Sequence, residues 1–337
     1  MSRLPSDHEI EAALRRAWFP VARRSELTSP RRVSLLGETL AVYLTETGEP
    51  QVVQDRCAHR GASLSMGNVN GERIACPYHG WEWNGATGRC EHIPSLSDGA
   101  GIPPRAVIAS YRTAECWGLV WCCLDEPAMD LPDPEELVDL RWTYGQGRPM
   151  RVAAGIRNAT ENFRDVAHFP FVHERTMGTM PHAVEPLRVA RDGTTVRLER
   201  SYGASGGQES MWQEGMRFSY HAMAPAFVCL VMDHDGRGQR ILLNAPSPHT
   251  APTQPGPDGR HHSTIFWVEG MTDDLDGITL EECLESEAQV YEEDNPILDL
   301  LEPSEAPLDV NAQVHTPADR YTLEYRRAFV EFVKEAT

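Results

Sequence analysis

Positive charge is what this chain of 337 residues has least of. Lys334 is its only lysine, and 31 basic residues stand against 50 acidic ones for a formal charge of −19. Nucleic-acid phosphates and anionic lipid headgroups are poor partners for such a surface, so neither nucleic acid nor membrane is expected. Long apolar runs are missing too. None approaches the roughly 20 residues needed to cross a bilayer. The opening Met1-Ser-Arg-Leu-Pro-Ser-Asp-His-Glu9 has no apolar stretch of the secretory kind, and a cytoplasmic protein is expected. There is no internal repeat and no glycine-rich flavin or nicotinamide fingerprint, which leaves any electrons to come from another protein. Cysteine is modest at eight residues. In a reducing compartment a disulfide framework is not expected. Cys122 and Cys123 end the apolar run from Trp117 to Leu124 and read as buried thiols in a strand.

Two of the cysteines do carry a pattern. Cys57-Ala58-His59 and Cys76-Pro77-Tyr78-His79 each set a thiolate beside an imidazole, with residues 60–75 between them. Two sulfurs and two nitrogens are the ligand set of a Rieske [2Fe–2S] centre, whose cysteines hold one iron and whose histidines hold the other. A structural zinc site needs the same ligands. The surroundings favour iron–sulfur: both second ligands run into tight turns, His59-Arg60-Gly61 and His79-Gly80-Trp81, and Pro77 stiffens the second. Neutral imidazoles raise the reduction potential above that of an all-cysteine cluster, so the site would accept an electron and pass it on.

Charge and pattern divide the chain. Residues 1–125 hold 13 arginines against 14 acids, and the rest holds 18 basic residues against 36 acids. Arg60, Arg73 and Arg89 lie near the ligand loops, where they would serve either as a patch for an acidic electron donor or as ordinary solvated side chains. Glu9–Trp18 reads as a short amphipathic helix. From about Val33 to Leu124, short apolar segments broken by Gly, Pro and Asn indicate a small β domain. We therefore expect a helix and cluster domain over 1–125, an acidic, proline-rich linker over 126–150, and a second domain over 151–337. The second domain has a helical segment around 158–169, strand-like runs at 194–200, 227–232, 240–244 and 263–268, and helical patterns over 279–300 and 318–334. Residues 247–259 read as a loop, followed by the exposed His261 and His262.

The stretch from Asn158 to His173 holds a second constellation. Asp165 precedes His168 by three residues, and His173 follows by five. On an unbroken helix, positions five apart diverge by roughly 140°. Pro170 implies that the helix bends or ends there, letting His173 return toward His168. Two histidines and a carboxylate make the facial triad of non-haem Fe(II) oxygenases, with positions left open for dioxygen and substrate. Packing or capping would also account for two histidines near a helix end.

With Cys57, His59, Cys76 and His79 upstream, and with Asn162-x-x-Asp165-x-x-His168-x₄-His173 and an acidic C-terminal helix downstream, the chain resembles the Rieske non-haem iron oxygenases over nearly its whole length. It is similar to the aromatic O-demethylase and monooxygenase branch, which includes the vanillate and dicamba demethylases. It also resembles the saxitoxin-pathway hydroxylases at Ser65-Met-Gly, Cys76-Pro-Tyr-His-Gly-Trp, Phe169-Pro-Phe-Val-His-Glu174 and Ala318–Arg327. The resemblance implies an α+β fold, in which a β-rich Rieske domain precedes a catalytic domain with an antiparallel sheet around a long helix, of helix-grip, START-like form. It implies that His168 and His173 bind the catalytic iron. For the third ligand, Glu292, Glu293 and Asp294 compete. The family carries an Asp where Asp294 stands, which leaves Glu292 and Glu293 for a solvated face, and Pro296 is expected to kink the helix just beyond. The family's usual Glu-x-Gln after this Asp is replaced here by Leu298-Asp-Leu-Leu-Glu302.

By the same resemblance, Asp165 would bridge a cluster histidine of one subunit, His79, to the iron-bound His168 of its neighbour in a homotrimer. Asn162 would point either at the iron or into a helix hydrogen bond. Two electrons would come from NAD(P)H through a separate reductase or ferredoxin, and with dioxygen would hydroxylate a C–H bond of an aromatic or polycyclic small molecule. Hydroxylating a methoxy or N-methyl carbon ends in demethylation. Aromatic-ring cis-dihydroxylation and simple electron carriage are the competing activities. The substrate pocket is expected around Phe227–Met232, Asn244 and Phe266–Trp267.

Overall fold

The computed structural model describes residues 3–97, 99–132, 142–202, 216–234, 238–273, 275 and 277–337. Two compact units emerge, one formed by residues 15–129 with 249–251, the other by 1–14, 130–248 and 252–337. The part of the expected linker at 133–141 lies outside the described residues.

The smaller unit is built from short antiparallel strands. β1 (Phe19–Arg23), β2 (Arg31–Leu35), β3 (Glu38–Leu44), β4 (Pro50–Gln54), β5 (Asn68–Asn70), β6 (Arg73–Ala75), β7 (Glu82–Asn84), β8 (Cys90–His92), β9 (Arg112–Cys116) and β10 (Leu119–Cys123) form three small sheets. Their orders are β1-β10-β9, β2-β3-β4 and β5-β6-β7-β8. Strands this short cannot each bury a wide face, so the core is filled by a few large side chains. Trp83, Tyr43, Leu64 and Ile74 are fully enclosed between the sheets. Cys122 and Cys123 lie buried in β10, as their apolar surroundings indicate, and all eight cysteines are free thiols.

The larger unit opens with α1 (Asp7–Leu14), shorter than the expected helix because Phe19 already belongs to β1. Its sheet comprises β11 (Trp142–Gln146), β12 (Met150–Val152), β13 (Arg188–Asp192), β14 (Thr195–Tyr202), β15 (Met216–Met223), β16 (Phe227–His234), β17 (Gln239–Pro248) and β18 (Ser263–Thr272). The order is β11-β18-β17-β16-β15-β14-β13, every pairing is antiparallel, and β12 joins β18 beside β11. The expected linker therefore ends in two strands. The strand-like run expected over 240–244 extends through Pro246 and Pro248. β16 pairs with β17 only as far as Asn244, so neither proline has to donate toward that side.

Across the sheet lie α2 (Ile156–Arg164), α3 (Phe169–Val172), α4 (Glu174–Met177), α5 (Leu280–Leu298) and α6 (Arg320–Ala336). The architecture is α+β, as expected. α5 starts on a capping box: Glu282 N–H donates to Thr279 Oγ1 at 3.2 Å, and Thr279 N–H donates to Glu282 Oε2 at 2.8 Å. Pro296 lies inside this helix, which runs on to Leu298. The expected kink just beyond Asp294 thus does not end the helix.

Candidate metal centres and cavity

In the smaller unit, the Cys57 and Cys76 loops are built alike. In each, the cysteine carbonyl accepts from a glycine four residues on: Gly61 N–H at 2.8 Å and Gly80 N–H at 3.0 Å. Each cysteine N–H donates to the carbonyl five residues on, Ala62 at 2.9 Å and Trp81 at 2.8 Å. Both glycines have positive φ, 76° and 69°. At Gly80 an added Cβ would come within 2.9 Å of Pro94 Cγ, so this turn admits glycine for two independent reasons. Asp55 ties the first loop down by accepting from Ser65 N–H at 2.7 Å and Ser65 Oγ at 2.9 Å.

The side chains meet in two pairs, Cys57 against Cys76 and His59 against His79. The His59 and His79 rings stand 4.6 Å apart edge to face, and His59 stacks on Trp81 at 4.4 Å. Both cysteines are buried, while His79 is exposed beside Tyr78. Burial and the neighbouring Cys76 thiol push the Cys57 thiol up to about 11, so a thiolate here calls for cationic metal beside it. His59 Nδ1 is buried and has no hydrogen-bond partner among the described residues, an arrangement that ligation would satisfy. Two thiols and two imidazoles form a donor set that would hold a [2Fe–2S] cluster. Arg73 is engaged by Glu82 at 3.1 Å, whereas Arg60 and Arg89 are exposed near the loops.

In the larger unit, the helix expected around 158–169 is broken. α2 ends at Arg164, Asp165 has the extended ψ of 118°, and a new turn begins at Phe169 with Pro170 in its first positions. Pro170 thus opens α3, the single turn that carries His168 at its N-cap and His173 at its C-cap and so returns the second histidine to the first. His168 Nε2 and His173 Nε2 come within 3.0 Å. Asp294, on α5, places Oδ1 at 3.5 Å from the first and 3.4 Å from the second. These donor atoms all lie within 4.8 Å of one another, close enough for one ion. Two imidazoles and a carboxylate suit ferrous iron with open positions.

Asn162 turns out to face Asp294: its Nδ2 donates to Asp294 Oδ1 at 3.0 Å. Asp165 keeps Oδ1 on Ala167 N–H at 2.8 Å and turns Oδ2 to within 3.4 Å of His168 Nδ1. Glu293 corrects the expectation of a solvated face. Its carboxylate is 3.0 Å from His173 Nδ1 and accepts from Arg175 Nε at 2.9 Å and Thr176 Oγ1 at 2.7 Å. Burial would raise its pKa, but these three partners outweigh burial and lower it. Glu292 is exposed, as expected.

Behind the triad lies a cavity of about 40 Å³, walled by apolar side chains of β15, β16, α3 and α5, with Glu287 and Arg240 among them. This is far below the several hundred Å³ of a typical ligand site. A wider cleft of about 820 Å³ shares Phe218 with it but carries none of the candidate ligands. Of the expected pocket residues, Leu230 and Met232 line the cavity. Asn244 and Trp267 stand one layer back. Asn244 Nδ2 donates to Tyr291 Oη at 2.9 Å, and Trp267 packs on the Tyr291 ring at 5.1 Å. Phe227 is not in the wall. Side chains alternate along β16, and Leu230 and Met232 face the cavity, which turns Phe227 to the other face. Glu287, Val290 and Tyr291, the wall of α5, could have been found by counting back from Asp294 in helical steps.

Two family models cover the chain: the Rieske [2Fe-2S] domain matches residues 17–112, and the vanillate O-demethylase oxygenase C-terminal domain matches residues 152–335. The chain belongs to the Rieske non-haem iron oxygenases. It is similar to methylxanthine N1-demethylase NdmA of Pseudomonas putida, with 29% identity over 335 residues, spanning 96% of this chain and 90% of that one. The solved structure of NdmA from P. putida CBB5 superposes with a TM-score of 0.78 at 26% identity, covering 96% of both chains. Dicamba monooxygenase bound to dicamba has the same fold, with a TM-score of 0.75 at 19% identity over 95% of this chain and 98% of that one. This oxygenase is accordingly a Rieske non-haem iron monooxygenase acting on a small molecule, with a [2Fe–2S] cluster and a mononuclear iron as its cofactors. Among the described residues no helix is long and apolar enough to cross a membrane.

Proposed function

We propose that this chain is the terminal oxygenase of a multicomponent system. It hydroxylates a C–H bond of an aromatic or polycyclic substrate, including the methyl carbon of an N-methyl or methoxy group. The observation that carries this reading is the convergence of His168, His173 and Asp294 at the wall of an apolar cavity. Cys57, His59, Cys76 and His79 hold the cluster, and His168, His173 and Asp294 hold the iron. When bound, the cluster supplies single electrons and the ferrous iron supplies dioxygen activation.

The chain's own residues set the geometry. Glu293 takes the His173 Nδ1 proton side and so fixes which nitrogen faces the metal. Asn162 holds Oδ1 of Asp294 in place. The apolar wall excludes water from the reacting carbon. A substrate hydroxylated on an N-methyl or methoxy carbon then collapses to formaldehyde and the demethylated product. NdmA, an N-demethylase by name, supports that outcome.

Electrons come from NAD(P)H through a separate reductase or ferredoxin in the cytoplasm. In a homotrimer, Asp165 links its own His168 to the partner subunit's His79. The Asp165 side chain is 37% exposed with one oxygen near His168, which leaves it accessible to a second chain. Turnover of N-methyl and methoxy aromatics under ¹⁸O₂, with formaldehyde measured, tests the reading. Labelled hydroxylated product or formaldehyde is expected, and a labelled cis-diol as sole product would replace it with ring dihydroxylation.

A further inference from the structure

One buried group in the cavity wall takes no part in the chemistry above. Glu287 stands on α5 seven residues before Asp294, two turns back on nearly the same helix face and about 10 Å along the axis. It lines the cavity, is only 7% exposed, and accepts no hydrogen bond among the described residues. The same wall holds the apolar Leu242 and Val290, and Arg240 is its one arginine or lysine. That charge is already committed, since both Nε and Nη2 of Arg240 lie on Oε1 of the buried Glu269 across β17 and β18. One guanidinium thus faces two buried carboxyls.

A carboxyl left unpaired in an apolar wall is costly to bury without a function. Burial, then the neighbouring Glu269, push its pKa up to about 8, while Arg240 and His173 pull it down and Asp294 adds to the rise. The geometry has a cheaper solution once a ligand brings its own positive charge to the site.

We infer that Glu287 is a substrate-binding residue, and that the substrate of this oxygenase carries a basic nitrogen whose N–H⁺ it receives, at the end of the molecule remote from the carbon presented to the iron. The inference rests on the reading of this cavity as the substrate site. Arg240 and Glu269 hold the surrounding wall and stay paired.

Calorimetric binding to the holoenzyme without reductant tests this with a matched pair of probes, naphthylmethylamine and the neutral naphthylmethanol. Wild-type protein should bind the amine at least about tenfold more tightly than the alcohol, as a charge-assisted hydrogen bond in a dry site requires. Glu287→Gln, which keeps shape and volume, should erase that preference while iron content and the cluster spectrum stay unchanged. Equal affinity in the wild type, no detectable binding of the amine, or a preference that survives Glu287→Gln overturns the inference. Survival in the variant would assign the attraction to the acidic surface. Because the assay involves no turnover, a failure of oxygenation with the amine preference intact would count against the proposed reaction alone.

Discussion

Glu293 and Asp294 are adjacent carboxylates on one helix, and their division of labour is decided by which way each side chain points. Asp294 meets both histidines, whereas Glu293 approaches His173 from behind through Nδ1. Replacing Glu293 with Gln should leave a weaker partner for that ring and lower iron affinity by about 10- to 100-fold, measured by chelator competition. Asp294→Ala should remove the mononuclear iron altogether. The reverse ranking, with Glu293 essential and Asp294 dispensable, would exchange their roles. In the sequence, Cys57, His59, Cys76 and His79 were legible because each pair is local and its spacing is chemical. The choice of Asp294 came from family resemblance. Glu293 was misread because a helical repeat says which face a residue occupies only after one contact on that helix is known.

Elements place these residues through turns that tolerate little change. Gly80→Ala would force an alanine into the left-handed region and its Cβ against Pro94, so the Cys76 loop should lose about 1–3 kcal/mol. Cluster occupancy, read from visible absorbance, should fall before the fold does. The larger unit offers a contrasting test in the buried Arg240–Glu269 pair across β17 and β18. Arg240→Met strands a carboxylate in the sheet and should cost about 3–5 kcal/mol in denaturant unfolding, while Arg240→Met with Glu269→Met should recover most of that loss. The strands at 227–232, 240–244 and 263–268 were legible from their apolar runs, but their phase was not, which is how Phe227 was expected in the cavity. β15 went unread although its residues alternate strictly between buried and less buried positions. The break of the expected helix at Asp165 was also hidden, since Pro170 drew attention five residues too late.

At the scale of the whole molecule, two units with different charge carry two different metal chemistries. The acidic, proline-rich segment led us to expect a division near residue 125, and the compact units part between Met129 and Asp130. The grouping of residues 1–14 with the larger unit was not, because it depends on α1 packing against α6 at the far end of the chain. If Asp165 joins centres of neighbouring subunits, Cys57→Ser and His168→Ala proteins, each inactive, should regain activity when their subunits are exchanged. No recovery despite proven exchange would place the electron path within one chain. The central claim, two separate iron centres in one monooxygenase chain, is tested most directly by counting iron alongside the reduced-cluster EPR signal. Wild-type protein should hold about three irons per chain, two in the cluster and one at the triad, and His168→Ala about two with the signal unchanged. Two irons in the wild type with none lost in His168→Ala, or zinc in place of the cluster, would contradict the account.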